Sequence, residues 1–262
     1  MEFRPCIDIH NGKVKQIVGS TLKDAGDLAQ ENFVSEKDAA FYAKLYREYG
    51  LKGGHVILLN KEGSPFFEET KKQALSALWE YPGGLMIGGG ITDENASEYL
   101  DAGASHVIVT SYLFEDGALS FEKMQKLATA AGREHVVFDL SCKRFDDGYH
   151  IMSNRWQTKT DAVLNANLLK DLEKYCDEYL IHAVDVEGNA KGIETNLVEN
   201  LASYDGNAIT YAGGVHSLED IRLLGRIGQG RIHVTVGSAL DLFGGNLSFH
   251  EICKIVSGQD GI

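Results

Sequence analysis

Short, almost continuously apolar runs recur along the chain. They are Arg4-Pro5-Cys6-Ile7-Asp8, His55-Val56-Ile57-Leu58-Leu59, Leu85-Met86-Ile87, His106-Val107-Ile108-Val109, Val136-Val137-Phe138-Asp139, Tyr179-Leu180-Ile181-His182-Ala183-Val184-Asp185, Ala208-Ile209-Thr210-Tyr211 and Ile232-His233-Val234-Thr235-Val236. Apolar runs of this length predict strands of a parallel sheet covered on both faces. Between them the pattern changes to a helical period: Asp38–Tyr46, Glu68–Glu80, a helix starting near Asp93, Phe121–Ala131, about Asp161–Cys176, a helix opened by a Ser217/Asp220 capping box, and Phe249–Val256. Eight strands alternating with helical segments predict an α/β protein, a (β/α)8 TIM barrel in one domain over residues 1–262. An open doubly wound sheet is the alternative.

Two stretches leave this rhythm. After a turn at His10-Asn11-Gly12, Lys13–Gly19 alternates as an extended ribbon would, and the polar chain from there to about Val34 reads as a mobile active-site loop. Lys143–Ser153 carries Asp146-Asp147-Gly148, a hairpin turn, and leads to Trp156.

The strand ends are echoed half a chain apart. Asp8 returns as Asp139, 131 positions later; Gly88-Gly89-Gly90-Ile91 returns as Ala212-Gly213-Gly214-Val215 after 124, and Val109-Thr110-Ser111 as Val236-Gly237-Ser238 after 127. Landmarks repeating in the same order suggest a two-fold internal repeat of half-barrels, which a closed ring accommodates naturally.

Composition narrows the picture. Three prolines and no Ser/Pro-rich linker favour one domain, and the 29 glycines fall mostly where apolar runs end. A net charge of −13 argues against a nucleic-acid surface, yet backbone dipoles can still bind an anion. The four cysteines show no metal-binding spacing and read as reduced, mostly buried thiols of a cytoplasmic protein; no signal peptide or membrane span is expected.

In such barrels the chemistry lies at the C-terminal strand ends. The first and fifth strands stand opposite each other in a ring of eight, so Asp8 and Asp139 would flank one cavity, as a general acid and a general base must. Gly89 and Gly90 after the third strand, and Gly213 and Gly214 after the seventh, offer backbone N–H groups to a phosphate; Thr110-Ser111 and Gly237-Ser238 add donors from the neighbouring strands. The expected ligand carries a phosphate at each end, and a side chain added at Gly89 or Gly213 should obstruct it. Trp156 is placed to stack on a flat heterocycle. His10 reads as a polar loop residue, and His55, His106 and His182 as structural histidines within strands.

The motifs Cys6-Ile7-Asp8-Ile9-His10-Asn11-Gly12-Lys13-Val14, Ile87-Gly88-Gly89-Gly90-Ile91, Phe138-Asp139-Leu140-Ser141-Cys142, Trp156-Gln157, Tyr211-Ala212-Gly213-Gly214-Val215 and Val236-Gly237-Ser238-Ala239-Leu240 resemble those of a histidine-biosynthesis isomerase family over nearly the whole chain. Asp185-Val186-Glu187-Gly188 and Asp241-Leu242-Phe243-Gly244-Gly245-Asn246 are similar to its fungal and plant-like branch. The resemblance implies an Amadori rearrangement of phosphoribosylformimino-aminoimidazole-carboxamide ribotide to its ribulosyl isomer. Asp8 would be the base and Asp139 the acid, an assignment that could be reversed. It implies no metal or organic cofactor, a small-molecule bisphosphate substrate as partner, and a monomer. Two departures stand out: Gln16 where many bacterial members have Arg, and no strand-six Thr, whose function Asp185 or Glu187 would supply. The rival is the sister cyclase that makes imidazole glycerol phosphate; its pattern wants Lys at the position of Gln16. A non-catalytic barrel binding a phosphorylated ligand is the third reading.

Overall fold

The computed structural model describes residues 1–17, 21–22, 27–153, 156–186 and 192–258. Eight strands in parallel register form the framework: β1 (Cys6–His10), β2 (Gly54–Leu58), β3 (Leu85–Gly88), β4 (His106–Val109), β5 (Val136–Asp139), β6 (Glu178–His182), β7 (Ala208–Ala212) and β8 (Ile232–Val234). They lie side by side in chain order. The reversal of order that defines a doubly wound sheet does not occur in them. The last strand also reaches the segment ahead of the first. Phe3 and Val234 form a parallel bridge, with the Arg4 N–H donating to the Val234 carbonyl at 2.8 Å and the Val234 N–H to the Glu2 carbonyl at 3.0 Å.

Among the described residues eight α-helices accompany these strands: α1 (Ala39–Glu48), α2 (Phe67–Glu80), α3 (Ala96–Asp101), α4 (Phe121–Ala131), α5 (Ala166–Leu172), α6 (Thr195–Ala202), α7 (Leu218–Ile227) and α8 (Phe249–Val256). Capping chemistry explains where several begin. Asp38, Ser120, Asn165, Ser217 and Ser248 each accept a backbone N–H of the first turn with their side chains. Ser217 and Asp220 form the expected reciprocal box. α1 buries Ala39, Tyr42, Ala43 and Tyr46, a stripe spaced at one helical turn.

The structure departs from the sequence pattern in four places. α3 starts at Ala96 rather than near Asp93, because the Asn95 side chain first accepts from the Thr92 N–H and donates to the Gly90 carbonyl. α5 is shorter than Asp161–Cys176. Thr158–Val163 instead forms a third strand on the hairpin of Cys142–Phe145 and Gly148–Ser153, where the Thr160 hydroxyl donates to the Ile151 carbonyl at 2.7 Å. β6 ends at His182, and Asp185 lies in the turn beyond it. The stretch expected as loop up to Val34 ends in a strand, Glu31–Val34, paired antiparallel with Lys13–Ile17; residues 18–20 and 23–26 lie outside the described residues.

Burial divides the framework into layers. Ile57, Met86, Ile108, Val137, Leu180 and Ala212, one each from β2 to β7, pack together apart from the larger core that the helices cover. Side chains alternate along a strand, so on β6 Glu178, Leu180 and His182 share one face. At its N-terminal end Glu178 forms an ion pair with Arg4. Thr210 donates to Glu178 Oε1 at 2.6 Å, and Arg4 Nη1 donates to the Thr210 hydroxyl at 3.1 Å. His55 is buried nearby; burial first, and the Arg4 charge second, push it down to about 3. None of the four cysteines forms a disulfide, three of them are buried, and burial pushes the Cys176 thiol up to about 12.

Candidate active site

Asp8 is the middle residue of β1, which runs two residues further than its apolar run suggested, and Asp139 is the final residue of β5. Three strands lie between them in the serial order, so they stand four positions apart. Each carboxylate is held by its own set of neighbours.

Around Asp8 the organising residue is Gln16, on the ribbon strand that folds back beside β1. Its amide is 4% exposed and donates to Asp8 Oδ2 at 3.2 Å. The same amide reaches Cys6 Sγ at 3.6 Å. On its other side, a Cβ at Gly237 would stand 2.7 Å from Gln16 Oε1. Glycine at 237 therefore lets the ribbon press against the loop after β8. Gln16 spends its polar end on Asp8 and is buried, so it orients the carboxylate. His10, expected as a loop residue, is instead the buried last residue of β1.

Asp139 accepts three hydrogen bonds. Thr110 Oγ1 donates to Oδ2 at 3.1 Å, Ser141 Oγ to Oδ1 at 3.1 Å, and His182 Nδ1 lies 3.1 Å from Oδ1. His182 was expected to be structural from its apolar strand, yet it stands at the end of β6 beside this carboxylate. Its ring also lies 6.1 Å from the Trp156 ring, at an interplanar angle of 42°. Thr110, expected to serve a phosphate, turns its hydroxyl to Asp139 instead. Asp185 accepts the Arg144 N–H at 2.7 Å and so ties the turn after β6 to the hairpin. It is His182 that stands on Asp139 from strand six. Glu187 lies outside the described residues.

Trp156 has φ +67°, rare for a residue with a side chain. Such a conformation persists only where its surroundings hold it, and it puts the ring against His182. Trp156→Ala is expected to raise KM about 2- to 10-fold with little change in melting, from a stacking contribution of roughly 0.5–1.5 kcal/mol. A large melting shift at unchanged KM would make Trp156 a rim-packing residue.

The glycine loops have matching backbones. Gly89 and Gly90 have φ +102° and +72°, and Gly213 and Gly214 have +116° and +74°. A Cβ at Gly89 would lie 2.1 Å from the Leu58 carbonyl oxygen, and one at Gly214 would lie 2.1 Å from that of Gly192. A side chain at Gly89 therefore collides with the protein before it meets a ligand, which corrects the expectation from sequence. Around Gly90 there is open space. Gly89→Ala should cost roughly 2–4 kcal/mol of stability, from overpacking and left-handed strain together. Gly90→Ala should cost only about 1–2 kcal/mol while raising KM. Urea unfolding of both variants separates the two effects, and equal losses would show the clash is relieved. Ser111 and Ser238 are exposed, Ser111 opening the short helical turn Ser111–Leu113 and Ser238 in the turn closed by the Leu240 N–H on the Gly237 carbonyl.

Among the described residues no three His, Cys, Asp or Glu side chains converge as metal ligands would. No helix there is long and apolar enough to cross a membrane.

Residues 2–247 match the family model of the histidine biosynthesis proteins. The chain belongs to this family. Its relatives include the chloroplastic 1-(5-phosphoribosyl)-5-((5-phosphoribosylamino)methylideneamino)imidazole-4-carboxamide isomerase of Medicago truncatula, 48% identical over 96% of this chain and 80% of the relative. The isomerases of the same name from Neurospora crassa and Saccharomyces cerevisiae are 47% and 43% identical, over 93% and 97% of both chains respectively. This histidine biosynthesis chain is thus similar to both plant and fungal members, as its Asp185–Gly188 and Asp241–Asn246 motifs suggest.

Proposed function

We propose that the protein catalyses the isomerisation of the aminoaldose phosphoribosylformimino-aminoimidazole-carboxamide ribotide to its aminoketose, in histidine biosynthesis. The observation that carries the reading is the pair Asp8 and Asp139, each set by dedicated donors, on strands four positions apart. The names of the plant and fungal relatives support the substrate.

The strands form a closed (β/α)8 barrel with two related halves, in one domain. The Phe3–Val234 bridge, the serial strand order and the inner layer from β2 to β7 support closure. The paired glycine loops after β3 and β7 support the repeat. Across its mouth the substrate lies with a phosphate at each end. One phosphate is held by the loops of Gly89, Gly90 and Ser111, the other by those of Gly213, Gly214, Gly237 and Ser238. Trp156 covers the heterocycle.

The reaction needs a proton delivered to the ring oxygen, which opens the aminoaldose to a protonated Schiff base. It then needs a base at C2 to give the enolamine. Asp8 removes the C2 proton, and Asp139 protonates the ring oxygen. The substrate nitrogen takes up the electrons, so the chemistry calls for no cofactor. We place the enzyme in the cytoplasm as a monomer, with no nucleic-acid or membrane partner; the acidic charge supports the former exclusion.

Purified protein should convert the bisphosphate aminoaldose to the ketose without ammonia. Imidazole formation that depends on ammonia would identify the cyclase instead, a reading that Gln16 disfavours. Absence of both turnover and exchange at C2, with tight binding, would identify a non-catalytic binder.

A further inference from the structure

Thr110 and Ser111 are neighbours in the chain but face different tasks. β4 and β5 pair with Val109 opposite Phe138, so the next residue on each side brings Thr110 against Asp139. The Thr110 hydroxyl donates to Oδ2 at 3.1 Å, while Ser141 and His182 stand on Oδ1. A carboxyl contacted on both oxygens cannot turn without giving up a partner, and Thr110 is its contact on the Oδ2 side. An acid that must deliver a proton to one substrate atom depends on that orientation, because an error of about 1 Å can cost roughly 10²-fold in rate.

Thr110 also leads into the short helical turn Ser111–Leu113, where the Leu113 N–H donates to the Thr110 carbonyl at 3.2 Å. That turn is tied to the glycine loop after β3, because the Tyr112 hydroxyl donates to Asp93 Oδ1. Burial, and then the Asp93 carboxylate, push the Tyr112 hydroxyl up, so it stays a donor. Asn95 in turn fastens the loop, donating to the Gly90 carbonyl at 3.0 Å and accepting the Thr92 N–H at 2.9 Å. A continuous path therefore runs from Gly90 through Asp93, Tyr112 and Thr110 to Asp139. Gly90 and Ser111, which hold one phosphate in the isomerase reading, both lie on it.

We propose that Thr110 is a positioning residue, through which the grip on one phosphate sets the carboxyl of Asp139 for proton transfer. The inference rests on the isomerase reading and says how one end of the substrate assists the chemistry at its middle. Binding energy of the distant phosphate then goes into orienting the acid, so it raises kcat as well as lowering KM.

Thr110→Val keeps the shape of the side chain and removes its hydroxyl; Thr110→Ser keeps the hydroxyl. The first should lower kcat roughly 10- to 100-fold with KM within a few-fold, and the second should stay within about 3-fold of the wild type. Tyr112→Phe cuts the path at Asp93 and should lower kcat roughly 3- to 10-fold, the scale of one hydrogen bond. In the Thr110→Val background it should cost nothing further, because the path is already broken. A purely structural Thr110 would instead lower the melting temperature of Thr110→Val and leave its kcat within a few-fold; that result, or additive losses in the double variant, overturns the proposal. If Thr110→Val does not fold, Tyr112→Phe decides, and a wild-type kcat there is equally fatal. The two monophosphate aminoaldoses, each lacking one end phosphate, test the link to binding. With the wild type one of them should lose kcat, and Thr110→Val should reduce that loss to a few-fold. Equal kcat for the bisphosphate and both monophosphates, or an undiminished loss in Thr110→Val, would show that Thr110 transmits nothing. Absence of turnover in the wild type removes the isomerase reading and this inference together. An active wild type beside an equally active Thr110→Val removes this inference alone.

Discussion

Asp8→Asn lowers kcat by roughly 10²–10⁴-fold, the range for loss of a positioned acid–base group. The substitution replaces one carboxylate oxygen with an amide nitrogen of the same size. The remaining oxygen can still accept from Gln16, whose amide lies 3.2 Å from Oδ2, so the ribbon keeps its packing against β1. What disappears is the capacity to accept a proton from carbon. Affinity for the substrate should therefore stay within a few-fold, and exchange of the C2 hydrogen with solvent should stop. Asp139→Asn should fall in the same range, because an amide has no transferable proton for the ring oxygen, and it disturbs its donors as well. Its amide nitrogen would face Thr110 Oγ1 on one side, or His182 and Ser141 on the other, so at least one donor loses its acceptor. Steady-state rates, calorimetric affinities and the exchange experiment together check both. A near-normal kcat in either variant would remove that residue from the reaction.

Glu178→Ala is expected to lower the free energy of unfolding by about 3–5 kcal/mol, the cost of removing one side of a buried pair, because only the exposed Glu2 carboxylate, 3.2 Å from Arg4 Nη2, then remains on the guanidinium. The side chains of Arg4 and Glu178 are 9% and 4% exposed, so water does not replace the missing carboxylate. Thr210 loses its acceptor as well. A double replacement, Arg4→Met with Glu178→Leu, should recover most of the loss, because two apolar side chains of similar volume remove both charges at once. Urea unfolding of the single and double variants decides the point. A single-variant loss under about 1 kcal/mol would mean that the pair behaves as if it were at the surface. Because Glu178 opens β6 while His182 closes it, turnover of Glu178→Ala below its melting range should be close to normal.

Much of this was legible in the chain. All eight parallel strands were marked by apolar runs, because a strand covered on both faces leaves its composition no freedom. Phe121–Ala131 and Phe249–Val256 match their predicted bounds, each following a serine that caps the first turn. Asp8 and Asp139 could be found because a carboxylate at the end of an apolar run has no packing reason to be there. The harder features depend on register between distant segments. The role of His182 arises because β6 lies beside β5, 43 positions away in sequence, which no local pattern encodes. Ser141 was nearer to hand: two residues after Asp139, it falls on the same side of the extended chain. The helical pattern starts at about Asp161, yet Asp161–Val163 completes the strand Thr158–Val163, because its pairing partner, Gly148–Ser153, supplies the preference that its own residues state only weakly. The need for glycine at 89 was read as room for a ligand, whereas the Leu58 carbonyl already fills that space.

The bridge between Phe3 and Val234 has a consequence for how the molecule is made. The Glu2 backbone N–H meets His233 Nδ1 across 231 positions of sequence, among the longest separations in the chain. On a ribosome adding about 5–20 residues per second, the first strand waits roughly 10–50 seconds for the last strand to be synthesised and to clear the exit tunnel. Until then the nascent sheet carries two unpaired edges, and exposed edges are sites where chains join wrongly. The antiparallel ribbon Lys13–Ile17, which follows β1 almost at once and pairs with its end, can cover part of that edge during the wait. A segment that steadies Asp8 in the finished enzyme would thus also shield the growing chain.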